Sequence, residues 1–230
     1  MACARTMPPG RISRRDRVRG LYAVTPDLAD TDALAAKVAA AIEGGAAVVQ
    51  YRNKSLASPA RRAQAQRLAE LCARHGVVFV VNDDAALARD VHADGVHVGE
   101  DDGDLAQARA IVGDACLIGV SCYDDLERAR TAVARGADYV AFGSFFASSV
   151  KPGARRATRE LLERARGLGV PVVAIGGITA VNAASLRDAG ASAVAVISDV
   201  FADEAPDAIA LRARAIAALF PPVNDSEDRA

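Results

Sequence analysis

Gly136-Ala137-Asp138-Tyr139-Val140 is one of four related phrases whose reading decides the fold; the others are Gly44-Gly45-Ala46-Ala47-Val48-Val49, Ala93-Asp94-Gly95-Val96 and Gly190-Ala191-Ser192-Ala193-Val194. Each joins an Ala/Arg/Leu-rich stretch with helical spacing of apolar positions to a short run of Val, Ile and Ala. The glycine in three of the copies suits a helix C-terminus that must enter the left-handed region, and the small residues after it let the chain turn into a strand. A helix followed by a strand is therefore a repeated unit.

Working outward from these junctions, eight apolar runs read as strands: Gly20 to Thr25, Ala47 to Arg52, Val77 to Asp83, Gly95 to Gly99, Leu117 to Cys122, Tyr139 to Phe146, Val170 to Ile178 and Ala193 to Phe201. Alternation of β and α over eight units predicts a single α/β domain, a (β/α)8 barrel of the TIM type spanning residues 19–220. The rival is an open doubly wound sheet, which commonly carries a Gly-rich dinucleotide fingerprint after its first strand; Thr25-Pro26-Asp27-Leu28 occupies that place. Six arginines against one acid before Gly20, with Pro8, Pro9 and Gly10, read as a flexible basic leader over residues 1–18. Residues 221–230 read as a disordered tail.

The 230 residues are 51% apolar and 25% charged with a net charge of -1, which does not point to nucleic acid. Aromatic residues make up 4% and Trp is absent, so few stacking platforms exist for single strands, and a small ligand fits better. Cys3, Cys72, Cys116 and Cys122 form no CxxC pair and have no His at zinc-finger spacing, so they read as reduced thiols. No apolar run reaches membrane-spanning length, and a cytoplasmic protein with no membrane partner is expected. A homo-oligomer is compatible with this composition.

In such a barrel the working groups lie where strands end. Gln50, Arg52 and Lys54 alternate at the end of the second strand and so share one side of the extended chain. Arginine grips phosphate oxygens bidentately and lysine adds a compact charge, a combination suited to a diphosphate; alone, it reads equally well as a solvated basic loop. Asn82-Asp83-Asp84 and Gly99-Glu100-Asp101-Asp102 bring carboxylates from adjacent units to the same face, where one or two of them with substrate phosphates suit Mg2+. The alternative for Asp83 or Asp102 is helix N-capping. Ser121 follows the fifth strand and Ser148-Ser149-Val150-Lys151 the sixth, ahead of a helix expected to begin near Arg155. Ile175-Gly176-Gly177-Ile178 and Val196-Ile197-Ser198 end the last two strands, where glycine and helix-start amides cradle phosphate in many barrels. His75, His92 and His97 have no partner visible in sequence and read as structural or surface residues. Cys122, the one thiol near the expected active face, lacks an activating neighbour and is not read as a nucleophile.

Taken in order, Gln50-Tyr51-Arg52-Asn53-Lys54, Val81-Asn82-Asp83, Gly95-Val96-His97-Val98-Gly99-Glu100-Asp101-Asp102, Gly119-Val120-Ser121, Gly136-Ala137-Asp138-Tyr139-Val140, Ala174-Ile175-Gly176-Gly177-Ile178 and Ala195-Val196-Ile197-Ser198 resemble the thiamine phosphate synthase family from about Gly20 to Phe220. The resemblance implies a transferase that joins an aminopyrimidine methyl diphosphate to hydroxyethylthiazole phosphate, with Mg2+ as cofactor, and releases pyrophosphate by a dissociative substitution. It implies that Gln50, Arg52, Lys54, Asn82, Ser121 and Lys151 bind the pyrimidine diphosphate, with Arg52, Lys54, Ser121 and Lys151 nearest the chemistry. Asp83 and Asp102 would hold Mg2+, and Ser148, Gly177, Ile197 and Ser198 would contact the thiazole phosphate. Where the family commonly has Thr-x-Thr-Lys, this chain has Ser148-Ser149-Val150-Lys151, and the hydroxyl lost at Val150 is worth about 0.5 to 1.5 kcal/mol if nothing replaces it.

Two rivals are weaker. A related thiazole tautomerase would need an acid/base residue, yet Tyr123 stands where those enzymes look to carry His, and Arg52, Asp83 and Asp102 suit a diphosphate and metal instead. A non-catalytic barrel that binds phosphorylated metabolites would bind either substrate without forming product.

Overall fold

The computed structural model describes residues 13–99, 105–147 and 156–220. Eight parallel strands, β1 (Gly20–Val24), β2 (Ala46–Tyr51), β3 (Val78–Asn82), β4 (Gly95–Val98), β5 (Leu117–Tyr123), β6 (Tyr139–Gly143), β7 (Val172–Ile175) and β8 (Ala193–Val196), pair in sequence order. The last pairs with the first through Gly20 to Ala193 and Tyr22 to Ala195, closing the barrel. Around it, among the described residues, lie α1 (Thr31–Glu43), α2 (Ser58–His75), α3 (Ala85–Asp90), α4 (Leu105–Val112), α5 (Leu126–Ala134), α6 (Arg159–Ala165), α7 (Ala183–Ala189), α8 (Ser198–Phe201) and α9 (Pro206–Ala217). The expected barrel is therefore found, and the open-sheet alternative is excluded by the β1–β8 pairing.

Period-two alternation sorts the side chains into two cores. Leu21, Val49, Val81, Ile118, Val140 and Val194 point outward and are buried against Leu34, Leu68, Leu162, Leu186 and Ile209 of the helices. Their neighbours Tyr22, Val48, Val80, Leu117, Tyr139 and Val173 fill the interior as a separate cluster. Two of the largest interior residues, Tyr22 and Tyr139, meet hydroxyl to hydroxyl at 2.9 Å.

The junction glycines behave as their sequence suggests: Gly45, Gly136 and Gly190 have φ of 98°, 93° and 116°. Three strands end three or more residues before the apolar runs do. β6 stops at Gly143, β7 at Ile175 and β8 at Val196, whereas the runs continue to Phe146, Ile178 and Phe201. Phe145, Ile178, Val200 and Phe201 are buried in the connections that follow, so their apolar character reports burial and not strand. The helix expected near Arg155 begins at Arg159. Residues 13–18 of the expected leader lie against the barrel floor: Arg15–Arg17 forms a 3-10 turn, Arg17 donates to the Gly76 carbonyl at 2.8 Å, and Val18 is buried. The rest of the leader and the tail lie outside the described residues.

One position shows how tightly the interior is filled. A Cβ on Gly119 of β5 would sit 2.0 Å from Cζ of Tyr139, on a strand whose backbone is held by pairing on both sides. Overpacking of this kind costs about 1 to 3 kcal/mol. Gly119→Ala is thus expected to lower the unfolding midpoint, and Gly119→Ala with Tyr139→Leu to recover part of the loss. Additive losses in denaturant titrations would contradict this account of the clash.

Candidate active site

The C-terminal ends of the strands carry the polar residues singled out from the sequence. Gln50, Asn82, His97 and Ser121 occupy interior-facing positions at the top of β2, β3, β4 and β5, where the apolar filling of the barrel gives way. Gln50 donates to Oδ1 of Asn82 at 2.5 Å, and Asn82 donates in turn to Oδ2 of Asp83 at 2.5 Å. Such a chain fixes the orientation of both amides, since each nitrogen must face an oxygen.

Beside them opens a cleft of about 620 Å³, whose lining includes Arg52, Lys54, Arg61, Asn82, Asp83 and Asp84. The loop after β2 is held from below. Thr25, fully buried, donates to the Arg52 carbonyl and accepts from the Arg52 amide, both at 2.9 Å. Buried Asn53 donates to the Leu28 carbonyl and to Gln64 of α2, while its own oxygen accepts from the Ser55 amide and hydroxyl. Asn53 therefore anchors the loop that carries Arg52 and Lys54 into the cleft. Asp27 accepts from the Lys54 amide at 3.0 Å and lies 3.4 Å from the Arg52 guanidinium. This half-exposed pair is worth little to stability but aims the arginine.

At the end of β3, Asp83 adopts φ of 63°, the left-handed region that non-glycine residues rarely enter. Its amide donates to the His97 carbonyl at 2.8 Å, which holds the kink. The N-cap of α3 is the next residue, Asp84: its carboxylate accepts from the Leu87 amide at 2.8 Å and pairs with Arg61 at 2.5 Å. The capping alternative considered for Asp83 thus falls to Asp84, and Asp83 lines the cleft. Among the described residues no group of three metal-ligating side chains occurs. Asp83 supplies one hard oxygen site next to two cations, which fits a magnesium ion completed by substrate phosphates and water. Asp102, Ser148, Val150 and Lys151 lie outside the described residues.

Across the barrel, Gly176 and Gly177 have φ of 107° and 63°. A Cβ on the first would come 2.2 Å from Ser144 Oγ, and on the second 2.5 Å from the Ala147 carbonyl oxygen. Both glycines therefore permit close backbone approach of the connection after β6, whose Phe146 amide donates to the Gly176 carbonyl at 3.0 Å. Ile197 precedes α8 as its N-cap and Ser198 opens it, so the first amides of that turn lack intrahelical acceptors. The residues read as two phosphate regions thus stand on β2–β3 and on β7–β8 of one rim.

One residue that lines the cleft was not recognised from sequence. Arg61 enters from the first turns of α2. Its spacing resembles that of any surface arginine on a helix. His97 is neither exposed nor unpartnered: Nδ1 lies 3.1 Å from the Tyr139 hydroxyl and Nε2 2.9 Å from Ser121 Oγ. Burial pushes its imidazole down to about 4, so it is neutral at pH 7. The usable signal was its interior register, two residues after Gly95. Cys122 faces the helices and is fully buried, and that burial pushes its thiol up to about 12, which removes it as a nucleophile.

A family profile described as thiamine monophosphate synthase matches residues 21–200. The chain is 56% identical over 207 residues to a thiamine-phosphate synthase of Azoarcus sp. (strain BH72), covering 89% of this chain and 98% of that one. It is 51% identical to the thiamine-phosphate synthase of Thioalkalivibrio sulfidiphilus, covering 89% and 97%. Among solved structures, thiamine phosphate pyrophosphorylase from Pyrococcus furiosus superposes with a TM-score of 0.79 at 30% identity, covering 90% of this chain and 98% of that one. With the rim residues in place on a matching barrel, the chain belongs to the thiamine monophosphate synthase family, and the transferase activity denoted by that name is its function.

Proposed function

We propose that the two ends of this rim divide the reaction between them: the β2–β3 side binds an aminopyrimidine methyl diphosphate and the β7–β8 side hydroxyethylthiazole phosphate. The observation that carries this reading is the convergence of Arg52, Lys54, Asn82 and Asp83 on one cleft, with the loop beneath them anchored by Asn53 and Thr25. Guanidinium and ammonium groups neutralise a diphosphate, and Gln50 and Asn82 present oriented amides to the pyrimidine. Ser121 and Lys151 bind the same substrate. Gly177, Ile197 and Ser198 offer backbone amides to the thiazole phosphate, which Ser148 also contacts.

Asp83 and Asp102 are the residues that would hold Mg2+ against the diphosphate. When bound there, the ion supplies charge neutralisation for the departing pyrophosphate. The bond between the methylene carbon and the diphosphate oxygen breaks with its electron pair leaving on pyrophosphate. The aminopyrimidine stabilises the methylene cation, and the thiazole nitrogen supplies the lone pair for the new carbon–nitrogen bond. No protein nucleophile enters the balance. Preorganised cations and oriented hydrogen bonds do the work where charge develops. The same reading takes the substrates as small molecules, with neither nucleic acid nor membrane as partner, in the cytoplasm; no helix among the described residues is long and apolar enough to cross a membrane.

Arg52→Lys keeps the charge but loses the bidentate fork, so kcat/KM for the pyrimidine diphosphate is expected to fall roughly tenfold or more. Asp83→Asn is expected to raise the Mg2+ concentration needed for half-maximal turnover by about an order of magnitude, with an unchanged unfolding midpoint in the absence of metal. Steady-state kinetics over a Mg2+ series check both. Wild-type metal dependence in Asp83→Asn would remove Asp83 from the metal site, and an unaffected Arg52→Lys would remove the diphosphate contact.

A further inference from the structure

Four polar side chains run through the barrel interior as one hydrogen-bonded line. The hydroxyls of Tyr22 on β1 and Tyr139 on β6 lie 2.9 Å apart, Tyr139 reaches His97 Nδ1 at 3.1 Å, and His97 Nε2 reaches Ser121 Oγ at 2.9 Å. Tyr22 and Tyr139 are buried at 1% and 0% exposure among Val, Leu and Ala side chains. Ser121 is partly exposed at the other end of the line.

The direction of the hydrogens follows from the closed end. Among the described residues, Tyr139 is the one hydrogen-bonding partner of the Tyr22 hydroxyl. If Ser121 donated to Nε2, Nδ1–H would donate to Tyr139, Tyr139 to Tyr22, and the Tyr22 hydrogen would be stranded without an acceptor. A buried donor left unsatisfied carries the full desolvation penalty. A charged imidazolium, donating from both nitrogens, would strand the same hydrogen and bury an unpaired charge as well. The reverse direction satisfies every donor: Tyr22 to Tyr139, Tyr139 to Nδ1, and Nε2–H to Ser121 Oγ. The Ser121 hydrogen then remains for the mouth of the barrel.

We infer that Tyr22 and Tyr139 set the tautomer of His97 and thereby hold Ser121 as a hydrogen-bond donor toward an acceptor atom of the pyrimidine substrate. Tyr22, Tyr139 and His97 are positioning residues, none of them placed against the reacting atoms. The substrate end of this inference rests on the proposed contact of Ser121 with the aminopyrimidine diphosphate; the tautomer does not.

Two measurements separate the parts. Nitrogen-15 spectra of histidine-labelled protein without substrate are expected to show His97 protonated at Nε2 and bare at Nδ1; a proton on Nδ1, or on both nitrogens, overturns the inference. In kinetics, Ser121→Ala is expected to lower kcat/KM roughly tenfold in the wild-type background, and threefold or less when combined with Tyr139→Phe, which keeps the ring over Gly119 but removes the donor to Nδ1. An equal loss in both backgrounds overturns the positioning role. If Ser121→Ala costs nothing while His97 still carries its proton on Nε2, the substrate contact fails and the donor polarity stands without its target.

Discussion

Closure of the sheet by the pairing of β8 with β1 is the constraint on which the rest of this molecule depends. An eight-stranded barrel has an interior just wide enough to be filled by side chains, so each strand must commit alternate residues to it. That commitment places Tyr22, Tyr139 and the valines inside, and it carries the same register upward to Gln50, Asn82, His97 and Ser121. The polar rim is therefore the uppermost layer of the core. Its side chains inherit the rigidity of the layers below, as preorganised donors in a site require.

The fold was legible because its signals were local and repeated. Helix-ending glycines such as Gly136 and Gly190, followed by small residues and β-branched runs, mark the same junction whatever the neighbouring side chains do. Strand ends were less legible. At β6, β7 and β8 the apolar pattern runs on because Phe145, Ile178 and Phe201 are buried by tertiary contacts, while the actual breaks come from the backbone of Gly176 and Gly177 and from the turn that opens α8.

The site was legible in part, and the division has a physical cause. Arg52, Lys54 and Asp83 break apolar strands at their ends, a pattern visible in one dimension. Asp84 and Asp83 differ by one position, and only backbone geometry decides that Asp84 caps α3 while Asp83 turns into the cleft. Arg61 arrives from a helix twenty-odd residues away from its partner Asp84, as a spatial and not a sequential neighbour. His97 proves structural, one of the two readings its sequence left open. Its partners Tyr139 and Ser121 lie 42 and 24 positions along the chain, so nothing beside it in sequence announces a hydrogen-bonded role.

The proposed division of the rim predicts that two phosphorylated substrates are joined and not merely held. The most direct measurement is the simultaneous quantification of pyrophosphate and thiamine phosphate formed by the purified protein from both substrates, with Mg2+ and with chelator. Equal amounts of the two products, formed only with the metal, are the predicted result. Tight binding of either substrate by folded protein without product, or pyrophosphate release without thiamine phosphate, would contradict the account.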